Sequence, residues 1–119
     1  MVLQFKLDHA TVNNTPIIRV KGEIDIHTCP QLADALNKLH QMGHNFIILN
    51  LINVQYIDST GLGAIARCAH QLSKQNGMIR VIAAKPQIET IFNVSGLSKK
   101  NIQLFKDEES ALALVPLKQ

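Results

Sequence analysis

The chain has 119 residues, 46% of them hydrophobic, enough for one ordinary core, so a single domain spanning 1–119 is expected. Its net charge of +3 comes from scattered basic residues, with Lys99-Lys100 the only adjacent lysine pair, and one Tyr and four Phe offer few groups to stack on bases; a nucleic-acid partner is not expected. No segment is apolar over a bilayer's width, and the opening MVLQFKLDHA alternates apolar and charged residues instead of running basic then apolar, so neither a membrane nor secretion is expected and the cytoplasm is.

In chain order, Gln4 to His9 and Pro16 to Val20 read as strands, with Asn13-Asn14 as the turn between them. A helix start follows at Thr28-Cys29-Pro30-Gln31: Thr28 can cap, Pro30 suits an early helical position and Gln31 fits the reciprocal capping place. Leu32, Ala35, Leu36 and Leu39 give that helix one apolar face, and Gly43 ends it. Phe46 to Leu51, FIILNL, is the nearly continuous apolar run of a strand covered on both faces. Beyond Asp58, a second helix carries Leu62, Ile65, Ala66, Ala69 and Leu72 at helical spacing and closes at Asn76-Gly77. Met78 to Ala83 is a strand, Pro86 to Val94 a short helix ending near Gly96, Ile102 to Phe105 a strand, and Asp107 to Leu114 a last helix capped by Asp107. Strands and helices alternate from Val20 onward, which implies parallel strands joined by right-handed crossovers, and the opening hairpin makes the sheet mixed. The expected fold is an α/β domain with about five strands and four helices.

The stretch YIDSTGLG, Tyr56 to Gly63, concentrates the candidate chemistry. A serine-hydrolase elbow requires G-x-S-x-G, and Ser59 sits instead in I-D-S-T-G. His70 follows eleven residues later, a rise of ~16 Å along the same helix and too far to act as a base. Gly61 to Ala66 matches G-x-G-x-x-A, yet the acidic residue that a dinucleotide ribose needs is missing from Ile79 to Lys85. His27-Thr28-Cys29 and Cys68-Ala69-His70 could supply two His and two Cys, but their spacing is tighter than in structural zinc sites, and packing is the expected role of both isolated cysteines. No catalytic residue, cofactor or metal is therefore expected. What remains is a hydroxyl displayed at a helix start, with Asp58 or Ser59 as the N-cap. Gly61, Ala64, Arg67 and Cys68 lie on the helix face away from Leu62, Ile65 and Ala69, and read as an open patch of small residues suited to another protein. A phosphoryl group at this start would meet free N–H groups and the positive end of the helix dipole.

Taken together and in order, GEIDIHTCP (Gly22 to Pro30), FIILNL, VQYIDSTGLGAI (Val54 to Ile65), VIAAKPQIETIFNVSGL (Val81 to Leu97) and the late acidic EESALA resemble a STAS domain of the anti-sigma factor antagonist family over nearly the whole chain. The resemblance implies a single STAS-like domain and a partner switch. An anti-sigma factor with a GHKL-type serine kinase fold would bind the unphosphorylated protein and release its sigma factor. Phosphorylation by that kinase would end binding, and a PP2C-type phosphatase would restore it. The acceptor maps to Ser59, with Thr60 the rival. Asp58 would orient the hydroxyl, Glu23 and Asp25 would face the partner from the neighbouring loop, and Thr60, Gly61 and Ala64 would complete the docking surface. Two other classes compete with this one: a STAS scaffold without phosphorylation, in a transport or stress-signalling complex, and a small nucleotide-binding α/β enzyme.

Overall fold

A computed structural model describes residues 4–97, 101–113 and 115. The Lys99-Lys100 pair, the first three residues and Leu114 of the expected last helix lie outside the described residues. The chain runs β1 (Lys6–Val12), β2 (Thr15–Ile24), α1 (Cys29–Gln41), β3 (Phe46–Ile57), α2 (Ser59–Ser73), β4 (Met78–Ile82), α3 (Pro86–Val94), β5 (Ile102–Phe105) and α4 (Glu108–Leu112). The five strands form one sheet in the order β1-β2-β3-β4-β5. Only β1 and β2 pair antiparallel; every later neighbour is parallel.

This topology follows from local chemistry. Asn13 and Asn14 take positive φ values of 51° and 63°, the geometry that a two-residue hairpin turn demands and that Asn tolerates. The crossovers through α1, α2 and α3 all step in one direction along the sheet, so right-handedness places all three helices on the same face. Strand alternation then divides the apolar residues. Ile18, Ile47, Leu49, Ile79 and Val81 pack under Leu32 and Leu36 of α1, Ile65 and Leu72 of α2, and Ile88 and Phe92 of α3. Ile17, Ile48 and Ile82 face the other way and meet Ala111 of α4. The short α4 is fixed there by polar bonds: Glu108 accepts from Arg19 Nε and Nη2 at 2.7 and 2.8 Å and from Asn50 Nδ2 at 2.7 Å. The buried Arg80 donates to the Ala111 and Ala113 carbonyls, where a helix C-terminus favours a cation.

Three expectations change in detail. Thr28 precedes α1 without capping it through its side chain; its hydroxyl donates instead to the Glu23 carbonyl at 2.7 Å, and no reciprocal box with Gln31 forms. The first strand is displaced toward the turn, to Lys6–Val12, because it pairs fully with β2 up to Val12 opposite Thr15. The central strand continues past the apolar FIILNL to Ile57, because β2 goes on pairing with it after β4 has stopped at Asn50.

Phe92 is fully buried between α3 and the sheet. Phe92→Ala should cost about 3–5 kcal/mol of stability, read as a lower urea midpoint with little change in slope.

Candidate functional site

The site lies where β2 and β3 end, the carboxyl edge at which open α/β sheets place their functional loops. Two register shifts give β3 extra residues relative to β2, one between Arg19 and Lys21 and one between Gly22 and Glu23. After them, Glu23 stands beside Tyr56 and Ile24 beside Ile57. The Asp58 N–H donates to the Ile24 carbonyl at 3.1 Å, so the loop after β2 and the start of α2 are held side by side.

Asp58 is the N-cap of α2. Its backbone is extended (φ −104°, ψ −175°), and Oδ1 accepts from the Thr60 N–H at 2.9 Å, the Gly61 N–H at 3.2 Å and the Thr60 hydroxyl. The Thr60 hydroxyl, then the Gly61 and Thr60 N–H groups, hold the Asp58 carboxyl below its ordinary pKa. Ser59 is exposed, and its hydroxyl makes no hydrogen bond among the described residues. The two candidate acceptors therefore differ: Thr60 is tied into the cap and Ser59 is not. Asp58 orients the Thr60 hydroxyl, where the sequence had suggested the acceptor's own. The expected free N–H groups are also largely occupied, since the Asp58 carboxylate takes those of Thr60 and Gly61.

The neighbouring loop is built as tightly. Asp25 Oδ1 accepts from the His27 and Thr28 N–H groups at 2.9 and 3.0 Å, and the Thr28 hydroxyl accepts from the Asp25 N–H at 2.9 Å. Glu23 and Asp25 are half-buried at the mouth of this loop. The Cys29 thiol, at the start of α1, donates to the Thr60 carbonyl at 3.3 Å and ties the two segments together. Nothing in the residue pattern announced that bond. Glu23, Asp25, Asp58, Ser59 and Thr60 thus come together at one edge.

Gly61 and Ala64 do not belong to an open surface. A Cβ on Gly61 would lie 2.5 Å from Ile24 Cγ2 and 2.9 Å from Ile57 Cγ1, so the first turn of α2 rests directly on the ends of both strands. Ala64 and Cys68 are buried because α1 packs beside α2 on the same face of the sheet. Only a shallow groove of about 170 Å³ remains between these helices, lined by Leu36, Asn37, Ala64, Arg67, Cys68 and their neighbours. Small residues on this stripe serve helix–helix approach, an alternative that one helix's periodicity cannot distinguish from an open patch. Both cysteines are free and buried, and burial pushes the Cys68 thiol up to about 11. Among the described residues, no helix is long and apolar enough to cross a membrane.

The chain is similar to known proteins in sequence and in fold. The profile of the STAS domain family matches residues 6–111. An anti-sigma-B factor antagonist of Staphylococcus aureus is 34% identical over 80 residues, covering 67% of this chain and 74% of that protein. The crystal structure of an anti-sigma factor antagonist from Mycobacterium paratuberculosis is similar with a TM-score of 0.83, at 25% identity and over 92% of each chain. The Bacillus cell fate determinant SpoIIAA in its phosphorylated form is similar with a TM-score of 0.68, at 25% identity and over 90% of this chain and 96% of that one.

Two outcomes are expected of substitutions here. Ala64→Arg should lower the melting temperature, since the new side chain must displace α1 or the sheet; an unchanged midpoint would mean the helices part without cost. Asp58→Asn should be less stable than the parent at neutral pH and converge with it in acid. A folded-state pKa held below the unfolded value stabilises above the ordinary carboxylate range, and that contribution disappears as pH falls through the depressed value. Urea midpoints of the two proteins, followed from neutral pH into acid, check this convergence.

Proposed function

The chain belongs to the STAS domain family, and on that premise we propose that it is a cytoplasmic anti-sigma factor antagonist, without catalytic activity of its own, that is switched by phosphorylation of Ser59. The observation that carries this reading is the contrast between two adjacent hydroxyls. Ser59 is exposed and unengaged, whereas the Thr60 hydroxyl donates to the N-cap carboxylate. Transfer to Thr60 would remove a donor from Asp58 and disturb the start of α2; transfer to Ser59 removes no bond of the fold.

In the unphosphorylated state the carboxyl edge of β2 and β3 docks on an anti-sigma factor of the GHKL serine-kinase type, which then releases its sigma factor. Within that complex the Ser59 oxygen attacks the γ-phosphorus of kinase-bound ATP. The bond to the ADP oxygen breaks, and the hydroxyl proton leaves to a base on the partner. A PP2C-type phosphatase returns the serine by hydrolysis, releasing inorganic phosphate. The names of the S. aureus relative and of the phosphorylated SpoIIAA structure support this assignment.

Charge explains how one group ends binding. A serine phosphate carries about −1.5 to −2 at neutral pH. In the free protein it stands in water at the N-terminus of a 15-residue helix, whose dipole favours it by roughly 0.3–1 kcal/mol while the Asp58 carboxylate opposes it. In a closely packed complex the same charge must be desolvated, at a cost of several kcal/mol unless the partner supplies counter-charge. Each ~1.4 kcal/mol is a tenfold change in affinity, so two or three orders of magnitude can be lost with the domain unchanged.

After incubation with ATP and the cognate kinase, mass spectrometry should find one phosphate on the peptide that contains Ser59. Ser59→Ala should abolish it, and Thr60→Val should retain it. Modification that survives in Ser59→Ala and disappears in Thr60→Val would transfer the role to Thr60. Incubation with ATP alone should leave the protein unmodified.

A further inference from the structure

Exposed large apolar side chains sort between the two ends of the sheet. Val12 (36% exposed) and Val94 (82%) close β1 and α3, and Met42 (72%) follows α1, all at the end where the parallel strands begin. They are spread from the β1 edge to the β5 side of the sheet. Ile26 (65%) and Tyr56 (50%) are instead at the end where the strands finish, Ile26 just after β2 and Tyr56 on β3, which leads into Ser59. Tyr56 precedes Ile57 and stands beside Glu23, and Ile26 follows Ile24 by two residues, in the turn after β2.

The fold makes no use of either side chain. Both are absent from the two apolar clusters that form the core, although their neighbours Ile24 and Ile57 are in it. Tyr56 is exposed because β3 runs on past the last residue paired with β4, Asn50, and so has a neighbouring strand on one side only. A lone exposed apolar residue needs no explanation, but an aromatic and a branched aliphatic residue exposed at the same end of the sheet, on neighbouring segments, have the composition of an interface centre.

We propose that Ile26 and Tyr56 are the apolar anchors by which the unphosphorylated protein holds the anti-sigma factor, and that the partner meets them with an apolar pocket flanked by Arg or Lys. This deepens the reading above and rests on it. Charge complementarity specifies the partner's side. Glu23, Asp25 and Asp58 surround the anchors, and Asp25 and Asp58 each use Oδ1 inside their own turn, while Oδ2 of each has no partner among the described residues. Of the basic side chains nearby, Arg19 is paired with Glu108, Lys21 is opposite Asn53, Arg67 is two turns into its helix, and Lys85 donates to the Val54 carbonyl at 3.3 Å. A phosphate on Ser59 adds charge to carboxylates that the partner's cations already balance, and the excess must be desolvated.

The test is calorimetric titration of the full chain against the purified GHKL-type anti-sigma factor of the same genome, with ADP present so that no phosphoryl transfer occurs. Ile26→Ser and Tyr56→Ser should each weaken binding about tenfold or more, as central anchors do. Val94→Ser, at the opposite end, should bind as the parent does. Thermal midpoints of all three should match the parent, since none of these side chains is in the core. Raising the salt concentration should weaken parental binding, as expected for carboxylates facing cations. If the parent binds and both anchor variants bind equally well, the anchors are wrong. If parental affinity is indifferent to salt, the basic partner face is wrong. If the parent does not bind at all, the antagonist reading itself fails.

Discussion

The first turn of α2 lies in direct contact with the ends of β2 and β3, and the rest of the site depends on that approach. It is possible only because residue 61 has no Cβ: any side chain there would start inside the van der Waals radius of Ile24 and Ile57. With the helix seated this low, the Asp58 N–H reaches the Ile24 carbonyl and the Asp58 carboxylate turns back over its own helix start. The same seating pushes Ala64 and Cys68 under α1 and lifts Ser59 to the outside. One missing methyl group thus decides which residues of the second helix are structural and which are displayed.

Polar groups around the site are nearly all engaged. Thr28, Asp25 and Glu23 bond among themselves, Asp58 bonds to Thr60 and Gly61, and the Cys29 thiol bonds across to the Thr60 carbonyl. Ser59 is outside this network. A hydroxyl that supports no bond can be esterified and restored without the domain refolding, which suits a reversible signal. The Asp58 Oδ1 is committed to capping, and its lowered pKa reflects the donors around it.

Topology explains why the edge is free to be approached. Three successive right-handed crossovers place α1, α2 and α3 on one face, and α4 covers the central part of the other through the Arg19–Glu108–Asn50 bonds and the Arg80 contacts. At the carboxyl edge of β2 and β3, where only the first turn of α2 rests on the strand ends among the described helices, β3 extends beyond its β4 neighbour. The sheet thereby presents apolar tips and carboxylates at the same edge as the exposed Ser59.

The sequence by itself determined the order of the elements, because apolar spacing changes between the periods of helix and strand, and the α3 and β5 boundaries, from Pro86 to Val94 and Ile102 to Phe105, are legible to the residue. It also narrowed the N-cap of α2 to Asp58 or Ser59, both short acceptor side chains, and the structure places it at Asp58. The D-S-T-G-L-G stretch marked the site for the same reason. Tertiary structure alone decided the rest. Helical periodicity marks Gly61, Ala64 and Cys68 as one stripe of small residues, but only the position of α1 decides that the stripe is buried. Thr28 has the composition of a cap, but the nearby Glu23 carbonyl offers its hydroxyl a closer partner. Tyr56 lies outside the strand that FIILNL marks, yet β3 runs past it to Ile57 and leaves it exposed, because how far a strand runs is set by pairing between segments distant in the chain.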